Sequence, residues 1–158
     1  MILNCNEIIP ERLWVGRCVN PGDVKHLREF GITTLMSLQS DEDLAYYGIS
    51  MKRMLRACKE AEIDLRRIAT RDFDTIALAQ NLPQCVAALE AALTPRWARV
   101  YLHCSAGINR GPTAAAAYLI RFRGLSAREA HDYLTARRNC SPYLTVLEQY
   151  EAALKPHA

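Results

Sequence analysis

One stretch of the sequence constrains the fold more than any other. The β-rich run ARVYLH (residues 98–103) leads directly into the small-residue turn CSAGINR, and the helical run GPTAAAAYLIRFRG (residues 111–124) follows. A buried strand that passes through a short turn into a helix is typical of α/β domains. We therefore expect the turn at the carboxyl edge of a largely parallel sheet, where such domains bind their ligands.

Further strand and helix signals alternate along the rest of the chain. β-branched and apolar runs predict strands at residues 12–16, 32–38 and 63–69, and Trp14 is expected in the core. The polar segment QSDED is expected to open a loop that ends near AYYG. Apolar spacing and capping residues predict helices at residues 20–31, 50–62, 82–93, 126–138 and 143–154. In the helix at residues 82–93, Asn81 is the predicted cap and Pro83 lies in the first turn. The predicted fold is an α/β domain whose central, largely parallel, twisted sheet is flanked by helices and followed by a helical C-terminal part.

Length, charge and cysteine content narrow the class of protein. The 158 residues show no repeat or linker, so we expect one domain over residues 1–158 that acts as a monomer. A net charge of +3 suits a small anionic ligand but gives no basic stripe for nucleic acid. No apolar run approaches the roughly 18 residues of a membrane span, and the N-terminal residues do not resemble a signal peptide. The six cysteines lack metal-ligand spacing, which favours reduced thiols and a cytoplasmic location, with disulfide regulation left open.

The turn itself has the residues of a phosphate-binding loop with a nucleophile. Cys104 would lie at a helix N-terminus, where the positive potential lowers a thiol pKa and favours the reactive thiolate. Arg110 can bind two phosphate oxygens at once, and Gly107 lets the backbone pass close to a ligand. These features suit phosphoryl transfer to sulfur, although a Cys-x5-Arg pattern at a strand–helix turn also arises by chance.

Such a reaction needs an acid that protonates the leaving oxygen. The segment ATRDFDTIALAQNLP (residues 69–83) supplies two aspartates, Asp72 and Asp74, in a predicted loop about thirty residues before Cys104. Either could instead be a helix cap or turn residue, which is the commoner role of aspartate in loops. We favour Asp72 as the acid.

The motif HCSAGINR resembles the HCxxGxxR signature of cysteine-dependent dual-specificity phosphatases. Within that family the chain is most similar to the glucan phosphatases, a branch that includes the plant starch-excess enzymes and laforin. The similarity covers about residues 12–142 and includes GITTLMSLQSDEDLAYYGI, RDFDTIALAQNLP, HCSAGINRGP and ARRNCSPY. It implies Cys104 as nucleophile, Arg110 as phosphate ligand and Asp72 as acid and then base, without a metal or other cofactor.

The resemblance also implies a set of substrate contacts. His103 would orient the loop and help to hold the thiolate, Phe73 would touch the sugar, and an aromatic pair would pack on the glucan. The predicted substrate-binding residues are His103, Ser105, Ala106, Gly107, Ile108, Asn109, Phe73, Tyr46 and Tyr47. The two tyrosines and Phe73 also suit plain packing, and His103 suits a histidine bonded at a strand end.

Gly111 departs from many members of the family, which have Ser or Thr there to assist departure of the cysteine. Glycine cannot assist in this way. Because alanine is common there in the plant glucan phosphatases, the resemblance makes Gly111 a marker of that branch and leaves open whether it slows hydrolysis of the phosphoenzyme. We also expect no separate carbohydrate-binding module, because 158 residues are too short for one beside the catalytic domain. The leading prediction is a phosphoglucan phosphatase, and the alternatives are a dual-specificity protein phosphatase, a phospholipid phosphatase or a non-catalytic phosphate- or glucan-binding module.

Overall fold

A computed structural model of the protein describes residues 3–155 and contains one five-stranded sheet. The strands are β1 (Cys5–Ile9), β2 (Leu13–Gly16), β3 (Thr34–Ser37), β4 (Asp64–Arg67) and β5 (Val100–His103). Their order across the sheet is β1-β2-β5-β3-β4. Only β1, at one edge, runs antiparallel to its neighbour, and the other pairs are parallel. The predicted α/β fold with a largely parallel sheet is therefore confirmed.

Helices cover both faces of the sheet. A short 3-10 turn at Pro21–Asp23 leads into the first, and the helices are α1 (Val24–Glu29), α2 (Asp41–Tyr47), α3 (Met51–Glu60), α4 (Thr75–Leu93), α5 (Arg110–Arg123), α6 (Ala127–Arg137) and α7 (Leu144–Leu154). The buried side chains form two clusters. The larger joins one face of the sheet to α4–α7, and the smaller, which includes Trp14 as predicted, packs α1 and α3 on the other face.

The segment predicted to open a loop after β3 is instead the helix α2. Ser40 caps it by accepting a hydrogen bond from the N–H of Asp43, and the Asp43 carboxylate accepts one from the N–H of Ser40. Gly48 ends the helix in the left-handed conformation, with φ 65°. The prediction was wrong because α2 buries only Leu44, so its sequence has no apolar periodicity.

The helix predicted over residues 82–93 begins seven residues earlier, at Thr75. Asp74 caps it, and Pro83 lies in its interior rather than in its first turn. Pro83 is on the exposed side of α4, so water can bind the carbonyl that loses its helical partner. The resulting 19-residue helix has the length and composition to cross a membrane, contrary to the expectation of no such run. Its buried face, which includes Leu82 and Leu89, belongs to the larger core cluster, as in a core helix.

Candidate active site

The turn after β5 lies at the carboxyl edge of the central strand of the sheet. Cys104 follows directly on β5, and α5 begins at Arg110. Because β3 lies beside β5, β4 lies beside β3, and all three strands are parallel, the segments that follow β3 and β4 reach the same edge. Residues 38–43, residues 68–74 and the turn at residues 104–109 therefore meet there.

The carbonyl groups of the turn are all held from outside it. From residue 104 to residue 109 their donors are His103 Nδ1 (2.8 Å), Cys18 N (2.9 Å), Arg138 Nη2 (3.1 Å), Arg138 Nε (2.7 Å), Ser141 N (2.8 Å) and Thr113 N (3.0 Å). A trans peptide directs its C=O and its N–H to opposite sides, so the N–H groups that follow these carbonyls face the inside of the turn. Within residues 3–155 no acceptor binds the N–H groups of residues 105–109. The turn is thus a nest of N–H donors directed at one point, which suits an anion.

Gly107 is required by the curvature of this nest. Its φ is 73°, and a Cβ at this position would lie 2.6 Å from the carbonyl carbon and oxygen of Gly16 and from Arg138 Nη2. Contacts this short with backbone atoms would force the turn or β2 to move. The sequence interpretation of Gly107 as a point of close backbone approach agrees with this geometry.

Arg138 braces the turn from behind and was not singled out from the sequence. Its guanidinium is buried, and besides the two carbonyls of the turn it donates to Asn6 Oδ1 (3.0 Å) and Asn4 Oδ1 (3.2 Å). The Arg138 guanidinium therefore donates hydrogen bonds to four acceptors on the outer side of the turn. A basic residue at the end of a helix is usually explained by the helix dipole, so the burial of Arg138 could not be predicted from its position in the sequence.

His103 is a neutral, buried group. Its Nδ1 must carry the hydrogen, because the Cys104 carbonyl oxygen only accepts. Burial lowers the pKa of His103 to about 4, and although the hydrogen bond to Cys104 opposes this shift, the nearby Arg110 adds to it. At neutral pH His103 can orient the Cys104 peptide, but it adds no formal positive charge beside the sulfur.

Arg110 is buried and presents one edge of its guanidinium to the nest. Nη1 is engaged by Asp43 Oδ2 at 2.6 Å and by the Thr70 carbonyl at 2.7 Å. Nε is buried with no hydrogen-bond partner within the described residues. Nη2 lies 3.3 Å from Asp72 Oδ2 and 3.4 Å from Ser105 Oγ. Because Nε has no partner and the contacts of Nη2 are longer than those of Nη1, the Nε–Nη2 edge is the one that can donate to two oxygens of a phosphate.

Asp43 is a further residue of the site that the sequence interpretation missed. Burial opposes ionisation of its carboxyl, but the hydrogen bonds from Arg110 and Ser40 outweigh burial and hold the pKa of Asp43 below its usual value. A capping-box pattern of Ser followed three residues later by an acid was present in the sequence. It would have located α2, but not the contact with Arg110, which is 67 residues away.

The two candidate acids have different surroundings. Asp72 is part-exposed beside Arg110, and its Oδ1 accepts from the N–H of Phe73 at 3.1 Å. Asp74 caps α4 by accepting from the N–H of Ala77 at 2.9 Å. Asp72 is thus the carboxyl group at the mouth of the nest, whereas Asp74 has the structural role that the sequence analysis allowed for either.

The aromatic residues predicted to contact substrate follow Asp72 and Asp43 closely in the chain. Phe73 follows Asp72 in the left-handed conformation, with φ 59°, and is 78% exposed. Tyr46 is 84% exposed and packs edge-to-face on the half-buried Tyr47, with ring centroids 5.0 Å apart. Both tyrosines are on α2, one turn beyond Asp43. Strained backbone that exposes a large apolar side chain is common at functional sites.

The predicted contacts within the turn divide into exposed and buried side chains. Ala106 and Ile108 are exposed and Asn109 is half-buried, whereas Ser105 is buried and its hydroxyl accepts from Gln39 Nε2 at 3.1 Å.

Tyr143, which the sequence analysis did not select, lies close enough to the site for the charged groups of the site to affect its pKa. Burial raises the pKa of the Tyr143 hydroxyl, with the charges of Asp72 and Cys104 adding to the shift and that of Arg110 opposing it.

Cys104 is buried at the floor of the nest, and Gly111 packs against it. A Cβ at position 111 would lie 3.6 Å from Cys104 Sγ and from Val15 Cγ1, which are ordinary van der Waals distances. Position 111 is therefore next to the sulfur and could hold a small side chain. All six cysteines are free thiols.

Comparison with known proteins identifies a match over most of the chain. Residues 13–152 match the family described as "Dual specificity phosphatase, catalytic domain". The chain is 35% identical over 95% of its length to the amyloplastic phosphoglucan phosphatase DSP4 of Castanea sativa, and 30% identical over 85% to the chloroplastic phosphoglucan phosphatase LSF1 of Arabidopsis thaliana. It is 27% identical over 86% to laforin of Mus musculus. The matches span 40%, 23% and 44% of those relatives, so the chain corresponds to less than half of each.

Solved structures share the fold at lower sequence identity. The crystal structure of Tk-PTP in its active form superposes with a TM-score of 0.80 at 21% identity, covering 98% of this chain and all of that one. The crystal structure of PTPMT1 gives a TM-score of 0.77 at 21% identity and covers 94% of both chains. The expected phosphatase fold is thereby confirmed, together with the resemblance to the glucan phosphatases.

Proposed function

The chain belongs to the dual-specificity phosphatase family, and we propose that it hydrolyses phosphate monoesters on starch- or glycogen-like glucans. The observation that carries the catalytic part is the nest above Cys104. The inward N–H groups, the unpartnered Nε of Arg110 and its Nη2, whose contacts with Asp72 and Ser105 are long, provide donors for the equatorial oxygens of a phosphoryl group.

The proposed reaction has two steps through a phosphocysteine. In the first, the Cys104 thiolate attacks phosphorus, an S–P bond forms, the P–O bond to the sugar breaks, and Asp72 donates a proton to the leaving sugar oxygen. In the second, water attacks phosphorus, Asp72 takes up the proton, and the S–P bond breaks to release phosphate and the thiolate. Both steps keep the charge of the phosphoryl oxygens within reach of Arg110 and the nest.

The exposed aromatic side chains near the site support a glucan as the molecule that carries the phosphate. Exposed aromatic rings suit the apolar faces of pyranose units, and Phe73, beside Asp72, and Tyr46, on the helix of Asp43, are both exposed. The similarity to two plant phosphoglucan phosphatases and to laforin supports the same substrate class. With no lysine or arginine between Cys104 and Arg110, the nest offers little extra charge for a polyphosphorylated lipid headgroup.

The test is phosphate release from matched substrates. Solubilised amylopectin, glycogen, a tyrosine-phosphorylated peptide and phosphoinositides would be compared by malachite green, with Cys104→Ser as the control for contaminating activity. Release from the glucans, lost in Cys104→Ser, is expected. Preference for the peptide or the lipid would instead support the alternative phosphatase functions, and binding of phosphate without turnover would indicate a binding module.

A second comparison separates glucan recognition from phosphate chemistry. Phe73→Ala and Tyr46→Ala should lower kcat/KM for phosphoglucan while leaving that for p-nitrophenyl phosphate within about threefold, because the small ester does not reach the aromatic surface. Equal losses on both substrates would contradict a role in glucan contact. A monomeric enzyme located in the cytoplasm is part of the same proposal, and light scattering and fractionation of the native protein test it.

A further inference from the structure

We infer that Asp43 is a positioning residue of the active site, which holds Arg110 so that its Nε–Nη2 edge faces the phosphate. The inference rests on the proposed phosphatase activity and concerns a residue outside the HCSAGINR turn. Asp43 does not reach the reacting atoms itself. It acts on them through the arginine.

The contacts of Arg110 assign its five N–H donors to two sides. The two donors of Nη1 are taken by Asp43 Oδ2 and by the Thr70 carbonyl, on the side away from the nest. The Nε donor is buried and has no acceptor within residues 3–155, and an arginine without a partner at a buried nitrogen is costly unless a ligand binds there. If Nη1 were released, the guanidinium could rotate and offer a different pair of donors. Asp43 removes that freedom.

The pair is buried enough to be strong. The side chain of Arg110 is 2% exposed and that of Asp43 13%, so the interaction is poorly screened by water. A carboxylate also neutralises part of the charge of a buried guanidinium before any phosphate arrives, which lowers the cost of keeping Arg110 in place. Without Asp43, Nη1 would be left with the neutral carbonyls of Leu38 (3.5 Å) and Thr70, and the carboxylate still beside the guanidinium would be that of Asp72 at Nη2, whose side chain is 31% exposed.

The same carboxylate oxygen ties Arg110 to α2. Asp43 Oδ2 accepts from Ser40 N at 2.9 Å and from Ser40 Oγ at 3.0 Å, in addition to Arg110 Nη1. Because Tyr46 and Tyr47 lie one turn further along α2, the helix that carries the aromatic surface is fixed to the arginine that binds phosphate. Asp43 therefore places the phosphate site and the proposed glucan surface in one rigid arrangement.

The chain provides two matched controls for this role. Asp41 lies in the same helical turn and also binds an arginine, with Oδ1 2.8 Å from Arg67 Nη2, but its side chain is 91% exposed and Arg67 is not a ligand of the nest. Asp41→Asn thus removes the same charge from the start of α2. Ser40→Ala removes the cap hydroxyl together with its hydrogen bond to Asp43 Oδ2, but it leaves Ser40 N and Arg110 Nη1 on the carboxylate, so it measures mainly the loss of the helix cap.

The test measures turnover and oxyanion binding in Asp43→Asn, Asp43→Glu and the two controls. We expect Asp43→Asn to lower kcat/KM about 10- to 100-fold on p-nitrophenyl phosphate and on phosphoglucan alike. The inhibition constant of inorganic phosphate should rise about tenfold, with both controls staying within about threefold of the wild type. Asp43→Glu, which keeps a carboxylate, should recover part of the loss.

Two results would overturn the inference. Equal effects of Asp43→Asn and Ser40→Ala would mean that the cap, not the arginine, is what Asp43 supports. An Asp43→Asn variant with unchanged phosphate inhibition would mean that Arg110 is held without it. If the wild type proves inactive on every ester, the proposed function fails, but the stabilisation of wild type and Asp43→Asn by inorganic phosphate in thermal melts still tests the role of Asp43 separately.

Discussion

The buried imidazole of His103 predicts a defined loss of stability in mild acid. In the unfolded chain this side chain takes up a proton near pH 6.5, whereas burial in the fold lowers its pKa to about 4. Between these values the unfolded state binds more protons, so the free energy of unfolding must fall as the pH is lowered from about 6.5 to about 4. One pKa unit corresponds to ~1.4 kcal/mol, so the whole effect is about 3 kcal/mol. That is a large part of the 5–15 kcal/mol, roughly, that stabilises a domain.

The assay is urea unfolding followed by tryptophan fluorescence in the wild type and in His103→Asn, at pH 7.5, 6.5, 5.5 and 4.5. Asparagine can still donate to the Cys104 carbonyl but does not titrate. Carboxyl groups titrate alike in both proteins, so they cancel when the two unfolding free energies are subtracted. The difference should be constant above pH 6.5 and then shift against the wild type by roughly 2 kcal/mol or more by pH 4.5. Parallel curves over the whole range would refute a neutral, buried His103.

Three further outcomes follow from the geometry of the site. Gly107→Ala should lower turnover about 10³-fold or more, because its Cβ would overlap Gly16. The control Gly48→Ala, at φ 65° in open space, should cost only about 1 kcal/mol of stability and leave activity unchanged. Similar activity in both variants would contradict the steric explanation. Asp72→Ala should reduce release from phosphoglucan by about 10²-fold or more and affect p-nitrophenyl phosphate less. Asp74→Ala should instead lower the melting temperature, because alanine cannot accept the cap hydrogen bond from Ala77. The reverse order would exchange the two roles. Gly111→Ser should place a hydroxyl beside Cys104 Sγ and speed hydrolysis of the phosphoenzyme, which rapid-quench kinetics would show as a smaller burst. Gly111→Ala is the control, because it fills the same space without a hydroxyl. An equal burst in both variants would exclude assistance by the hydroxyl.

The centre of the site could be predicted because its chemistry is local in sequence. Cys104, Gly107 and Arg110 lie within one turn, and strand and helix signals on either side predict where that turn sits in the sheet. Such a pattern indicates a nest without knowledge of the remaining fold. The position of the acid loop followed in the same way from the strand before it.

The outer contacts could not be predicted, because they join segments that are distant in sequence. Asp43 meets Arg110 across 67 residues, and Arg138 meets Gly107 across 31. Local patterns assign both residues ordinary roles, one as part of a helix cap and the other as a basic residue near a helix end. The error at α2 has a different cause: its Ser40–Asp43 box and Gly48 were readable signals, but the absence of an apolar stripe outweighed them.

The outward-held carbonyls have a consequence for how the enzyme acquires activity during folding. The donors to these carbonyls come from residues 18, 103, 113, 138 and 141. The turn therefore takes its curvature only when residue 18 and residues 138–141 are in place. A chain that stops at the end of α6 contains the whole HCSAGINR signature, yet it lacks the donors for three of the six carbonyls. Contacts of such long range form slowly and together. Activity should therefore return in the last phase of refolding, and a partly folded intermediate would carry the nucleophile without the means to use it.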